Sequence, residues 1–208
     1  MFESREEAGG LLTAKLEEAI TKDSIIVALL RGGIILGKII SDCYNLPLKP
    51  LAVKKIGAPS NQELAIGAIT ADRTIYLDRN LIENLGAEDK YLKEMSEIKV
   101  KEAQTLQRIF KSEISLKNKK VMIIDDGVAT GATAICASIY AQKQNAKEII
   151  LATPVISKDR INDIKKYFDR VISLKIANNL ASVGEFYKYF PQVEDKDVFG
   201  ILNSKNQK

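Results

Sequence analysis

The sequence predicts an α/β fold of three layers around a mostly parallel central sheet, with a β-hairpin flap. Three observations carry this expectation. Short apolar runs alternate with helical patterns along the chain, the signature of strand–helix–strand units. Several runs, SIIVALL at 24–30 above all, are apolar at nearly every position, as strands buried on both faces are. The runs at 65–70 and 74–77 are separated only by Ala-Asp-Arg and read as a hairpin that interrupts the alternation.

The elements come in this order. Residues 4–20 form an amphipathic helix, with Ser4 as its cap and Leu11, Leu12, Leu16, Ala19 and Ile20 on its apolar face. Strand 24–30 and helix 33–44 come next, and the chain returns as a strand over 50–55. After the hairpin a long charged helix covers about 88–113, with Met95, Ile98, Ala103, Leu106, Ile109 and Phe110 on its buried side. Strand 120–125, helix 132–144, strand 148–154, helix 158–166, strand 170–175 and a mixed tail complete the chain. No internal repeat or low-complexity linker divides it, so one domain over 1–208 is expected.

Composition narrows the chemistry. A chain of 208 residues can bury a full core without disulfides or a structural metal. The absence of histidine removes Ser-His-Asp and Cys-His catalysis and histidine zinc sites together. Cys43 and Cys136 show no CxxC spacing and read as reduced core thiols of a cytoplasmic protein. A net charge of +4 without a basic stripe gives no reason to expect nucleic acid. No signal core or membrane-length run is visible, so no membrane partner is expected.

VMIIDDGVATGATA, at 121–134, is the stretch that packing does not explain. It sets Asp125 and Asp126 at the carboxyl end of a strand, the edge where open α/β sheets bind ligands. Adjacent carboxylates repel, and Thr130 or Thr133 would cap the next helix more readily than either of them. Capping and plain solvation are the structural alternatives. The functional reading is that both carboxylates accept hydrogen bonds from vicinal hydroxyls. Gly127 and Gly131 permit close approach, and bare amides at a helix N-terminus make an anion cradle. A diol reader beside a phosphate cradle describes ribose 5-phosphate. No GxxxxGK[ST] occurs, and RGGIILG at 31–37 has the wrong spacing for GxGxxG.

The same stretch resembles the ribose-phosphate signature of type I phosphoribosyltransferases. Leu30-Arg31-Gly32-Gly33 stands where that family keeps its pyrophosphate loop. Residues 53–69 are similar to a segment of its predicted, functionally unassigned branch, and SVGEFYKYF at 182–190 sits where the family places a small C-terminal hood. The resemblance implies Mg²⁺-dependent transfer of a phosphoribosyl group from 5-phosphoribosyl-1-pyrophosphate (PRPP) to a nitrogen nucleophile, within nucleoside metabolism. It assigns Asp125 and Asp126 to the ribose hydroxyls and catalysis. Gly127, Val128, Ala129, Thr130, Gly131, Ala132 and Thr133 would take the 5-phosphate; Arg31, Gly32, Gly33, Lys54 and Lys55 would take the pyrophosphate. It leaves the direct metal ligands unassigned. A non-proline cis peptide is frequent in the family's pyrophosphate loop. Asn61, Gln62, Glu63 and the hairpin to Asp78 would close over PRPP.

Departures from the family pattern bear on the acceptor. Ala129 stands where 6-oxopurine enzymes carry a third acidic residue. Leu180 and Ala181, where a base-stacking aromatic is expected, cannot stack; Phe186 and Tyr187 either take over that task or belong to the core. The partners implied are PRPP and a small-molecule acceptor, with a homodimer through the first or the long helix as a further expectation. The alternative function is a non-catalytic PRPP or nucleotide sensor; hydrolysis of a ribosyl phosphate would use the same pocket.

Overall fold

The computed structural model describes residues 1–178 and 180–204. Helix α1 (Arg5–Lys15) opens on Ser4, whose hydroxyl accepts from the amides of Glu6 and Glu7. Strand β1 (Ser24–Leu29) is buried throughout and leads into α2 (Gly33–Tyr44), which stops at a left-handed Asn45. Strands β2 (Leu48–Leu51), β3 (Val53–Ala58), β4 (Asn61–Thr70) and β5 (Ile75–Leu77) come next, then helices α3 (Arg79–Leu85) and α4 (Asp89–Ile109). Strand β6 (Lys120–Ile124), helix α5 (Ala132–Lys143) and strand β7 (Glu148–Ser157) lead to the short α6 (Ile161–Ile164). Strand β8 (Arg170–Ala177) and helix α7 (Asp195–Asn203) end the described chain.

Five strands form a parallel sheet in the order β2-β1-β6-β7-β8. Strand alternation divides their side chains between two cores. Ile26, Met122, Ile124 and Ile150 pack with Leu12, Leu16, Leu36 and Ile40 of the α1–α2 side. Val27, Val121, Ile123 and Leu151 pack with Ile135 and Ala137 of α5 on the other. With helices on both faces, the sheet has the expected three layers. Strands β3, β4 and β5 form a separate antiparallel sheet, whose Ile56, Ile66 and Ile69 pack against Leu92 and Val100 of α4.

Several expectations need correction. The strand expected at 50–55 is two strands in two sheets. The break falls at Ala52, whose amide donates to Gln107 Oε1 at 2.8 Å instead of to a strand neighbour. The first helix ends at Lys15, not at residue 20. The long helix ends at Ile109, and Ile98 and Ile109 are exposed where burial was expected. Helix α3 escaped the periodicity reading, although Asp78 caps it and a left-handed Gly86 ends it. Helix α7, inside the expected mixed tail, opens with a capping box between Glu194 and Asp197. Cys43 is exposed, so only Cys136 is a core thiol. No described helix is long and apolar enough to cross a membrane.

Candidate active site

The carboxyl ends of β1 and β6 lie side by side in the parallel sheet, with Ala28 opposite Ile124. The loops that leave these two strands therefore meet at one edge. A cleft of about 740 Å³ opens there. Asp125, Asp126, Arg31, Gly32, Lys54, Lys55 and the loop 127–131 line it. The β3–β4 hairpin contributes Gln62 and Glu63 to one wall, and residues 181–184 with Phe190 contribute to another.

The two aspartates are not equivalent. Asp126 Oδ2 accepts from Arg5 Nε at 2.7 Å, and that guanidinium also donates to the Pro191 carbonyl at 2.7 Å. Arg5 is only 6% exposed and lies 3.6 Å from the centre of the Phe190 ring. The Asp126 carbonyl accepts from the Tyr187 hydroxyl at 2.6 Å. Burial, followed by the neighbouring charge of Asp126, holds the Tyr187 hydroxyl in its protonated form. Asp126 thus ties the first helix and the segment 187–191 to the end of β6. One oxygen of Asp126 therefore already has a protein partner. A carboxylate offers about four acceptor positions, so Asp126 keeps capacity toward the cleft.

Asp125 is half-buried, and its Oδ1 accepts from the Asp126 amide at 3.0 Å. Burial, and then repulsion by Asp126, push its carboxyl well above the usual carboxylate range; Lys55 opposes them. Burial also lowers the Lys54 ammonium, partly offset by Glu102. Lys54 and Lys55 have no salt-bridge or hydrogen-bond partner among the described residues. They offer the cleft two uncommitted cations.

The loop 127–133 divides sharply. Val128 donates to the Val155 carbonyl at 2.9 Å and accepts from the Ser157 amide at 2.9 Å, which stitches it into the sheet beside β7. Its amide is therefore spent on the fold. Ala132 is buried, lies outside the cleft wall, and donates to Thr130 Oγ1 at 3.4 Å. By contrast, the amides of Gly127, Ala129, Thr130 and Gly131 have no acceptor among the described residues. Gly131 takes φ +83°, in the left-handed region that favours glycine, just before the first residue of α5. Thr133 also reaches the cleft.

The Arg31 loop is held close. The Leu30–Arg31 peptide is cis. A Cβ on Gly32 would fall 1.9 Å from Asp126 Oδ2, so the loop can lie against the carboxylate only as glycine. Gly33 does not line the cleft; it starts α2, where a Cβ would meet the Ile124 carbonyl at 2.5 Å. Arg31 Nε donates to Asp195 Oδ1 of α7 at 2.7 Å.

A family model described as phosphoribosyl transferase domain matches residues 3–189. The chain belongs to this family. Over 206 residues it is 29% identical to two Mycobacterium tuberculosis proteins, from strains CDC 1551 and H37Rv, whose names place them among the phosphoribosyl transferases. The match covers 98% of this chain and 46% of each of those, so the chain spans about half the length of these curated relatives. The fold is similar to the crystal structure of TT1426 from Thermus thermophilus, with TM-score 0.77, 27% identity and 97% of both chains covered. AQ2163 from Aquifex aeolicus shares the fold at TM-score 0.55 and 14% identity, over 86% of this chain and 76% of that one.

Within this phosphoribosyl transferase domain, the residues that sequence reasoning missed are those that brace the site. Arg5 and Asp195 carry no motif, and Phe190 ends the 182–190 stretch without a pattern that marks it. Phe186 and Tyr187, the aromatics considered for stacking, do not line the cleft; Tyr187 is buried and Phe186 has Lys175 above its ring at 5.2 Å. Phe190 is the aromatic residue in the cleft wall among the described residues. Its faces are taken, by Arg5 at 3.6 Å and by the stacked Tyr187 ring at 4.7 Å.

Proposed function

We propose that this domain binds PRPP in the cleft and transfers its phosphoribosyl group to a nitrogen nucleophile, with pyrophosphate as the leaving group. The observation that carries the reading is the juxtaposition of three chemistries at one sheet edge. Unspent amides lie at 129–131, two carboxylates at 125–126, and Arg31, Lys54 and Lys55 line the same cleft. In this reading the amides of Ala129, Thr130 and Gly131 and the Thr133 hydroxyl hold the 5-phosphate. Asp125 and the remaining capacity of Asp126 accept from the ribose hydroxyls. Arg31, the Gly32 amide, Lys54 and Lys55 hold the diphosphate.

In the transfer, the C1–O bond breaks ahead of bond making with its electrons going to pyrophosphate, the nitrogen lone pair forms the bond to C1, and the proton displaced from an N–H acceptor passes to solvent. Positive charge develops on the ribose ring between these events. Fixed carboxylates beside it favour that charge over the neutral ground state. The Gln62–Glu63 hairpin and residues 181–184 border the same cleft and can exclude water from a centre that would otherwise hydrolyse.

Magnesium fits this donor set. Among the described residues no group of three or more His, Cys, Asp or Glu side chains could hold a metal alone. Mg²⁺ commonly needs one or two carboxylates and takes its other ligands from substrate phosphates and water. Asp125 and Asp126 would supply the protein's share. When bound, the ion offsets charge on the departing diphosphate.

The acceptor in this reading is bound by its edges. Ala129 brings no carboxylate, and residues 181–184 are small. The faces of the Phe190 ring are already covered. A small nitrogen acceptor suits this wall better than a stacked 6-oxopurine.

The test is pyrophosphate release from PRPP and Mg²⁺ in the presence of a panel of nucleobases and amines. Asp125→Asn is expected to lower the rate by ~10²–10³. Tight PRPP binding by calorimetry without turnover across the panel would support the sensor instead, and no binding would remove both.

A further inference from the structure

Arg160 carries no motif and does not line the main cleft, yet it reaches the loop that does. Its Nε donates to the Thr130 carbonyl at 3.3 Å, and its terminal nitrogen is paired with Asp78 Oδ2. Asp78 is only 6% exposed, and its other oxygen accepts from the Leu81 amide at 3.1 Å at the start of α3. Arg160 and Asp78 border a separate cleft with Tyr76 and Tyr167, and none of these four residues lines the main one.

A trans peptide is planar, with its carbonyl and its amide pointing in opposite directions. The carbonyl of Thr130 and the amide of Gly131 belong to one such unit. Holding that carbonyl toward Arg160 therefore turns the Gly131 N–H away from Arg160, and Gly131 lines the main cleft, which Arg160 does not. The left-handed φ of Gly131 makes this turn available, and nothing else among the described residues accepts from that amide or donates to that carbonyl. The guanidinium is itself fixed by a buried carboxylate, so it contacts the loop from one direction.

We propose that Arg160, anchored by Asp78, is a positioning residue that aims the Gly131 amide of the phosphate cradle. This rests on the reading of the loop 127–133 as a 5-phosphate site. Arg160 touches no substrate; it acts by orienting a peptide and by placing a positive charge behind it. Asp78 ends the segment 61–78 of the flap, so the same contact ties the flap's base to the cradle.

The experiment is calorimetric titration of the intact chain with two probes, ribose 5-phosphate for the cradle and inorganic pyrophosphate for the Arg31–Lys54–Lys55 side. In Arg160→Gln, ribose 5-phosphate affinity is expected to fall at least tenfold while pyrophosphate affinity stays within twofold. Arg160→Lys keeps the charge beside Asp78 but not the two-pronged contact, and is expected to fall in between. It also serves if the Gln variant does not fold. Circular dichroism establishes that each variant is folded. An unchanged ribose 5-phosphate affinity, or an equal loss for both probes, overturns the positioning role alone. Failure of the unmodified chain to bind ribose 5-phosphate overturns the cradle reading along with it.

Discussion

Arg5, at the start of the first helix, donates its Nε to Asp126 Oδ2 at 2.7 Å across 121 residues of sequence. Both partners are nearly buried, at 6% and 13% exposure. Desolvated ions of this kind are costly to separate. Removing one partner of a buried pair destabilises by about 3–5 kcal/mol, because the other is left without compensation. Arg5→Gln is therefore expected to lower the melting temperature by roughly 10 °C, at about 2–4 °C per kcal/mol for a chain of this size. Asp126→Asn is expected to cost less, about 1–3 kcal/mol, since its amide oxygen still accepts from Nε. Thermal unfolding followed by circular dichroism measures both, and a shift below about 2 °C for Arg5→Gln would contradict the account.

The Arg31–Asp195 contact calls for the opposite expectation. At 32% and 39% exposure it is a partly solvated pair, worth under about 1 kcal/mol to stability. Its consequence is for binding, because Asp195 takes up a guanidinium that faces the cleft. Asp195→Asn is expected to leave the melting temperature within about 2 °C and to tighten pyrophosphate binding several-fold, most clearly at low salt. Weaker binding in calorimetry would mean that Asp195 holds Arg31 in its binding orientation instead of competing for it.

These two ion pairs mark where the sequence stops being legible. The strand ends at 24–30 and 120–125 could be read from continuous apolar runs, since a strand covered on both faces must look that way. The placement of Asp125 and Asp126 at a sheet edge followed from those runs. Arg5 and Asp195 could not be read in the same way. Their partners lie 121 and 164 positions distant, and a lone arginine in an amphipathic helix looks like any solvated charge. The commitment of the Val128 amide to Val155 depends on β7 running on past Pro154, which local pattern does not show. Helices α3 and α7 did carry cap signals, at Asp78 with Gly86 and at Glu194 with Asp197. Their few buried positions left periodicity too weak to show them.

Gly32 and Gly10 make a matched pair for testing close approach. Both are glycines near or within a helix, but a Cβ on Gly10 would meet nothing within 4 Å, while one on Gly32 would strike Asp126 Oδ2 at 1.9 Å. Gly10→Ala is expected to stabilise by about 0.5–1 kcal/mol through helix propensity. Gly32→Ala is expected to destabilise by about 1–3 kcal/mol, as overpacking does, and to abolish ribose 5-phosphate binding by displacing the carboxylate. Urea unfolding of the two variants settles the comparison, and like effects would refute it.

Asp125 sets the pH dependence. Its carboxyl is raised above the ordinary 3.8, first by burial and then by Asp126. Below pH 3.8 the folded and unfolded chains both hold the proton, and nothing is lost. As pH climbs from there to the raised folded value, the unfolded chain releases its proton first and gains stability relative to the fold. Above the raised value the loss is complete. Replacing Asp125 with asparagine removes this penalty, so the urea midpoint of Asp125→Asn should exceed that of the unmodified chain at about pH 7. The difference should shrink steadily as the buffer is taken down toward about pH 4. Activity should move the other way, because the same substitution removes a charge proposed to stabilise the reacting ribose. A midpoint difference that stays constant over this range would show that the carboxyl titrates normally, and that its environment is wetter than its packing against Asp126 implies.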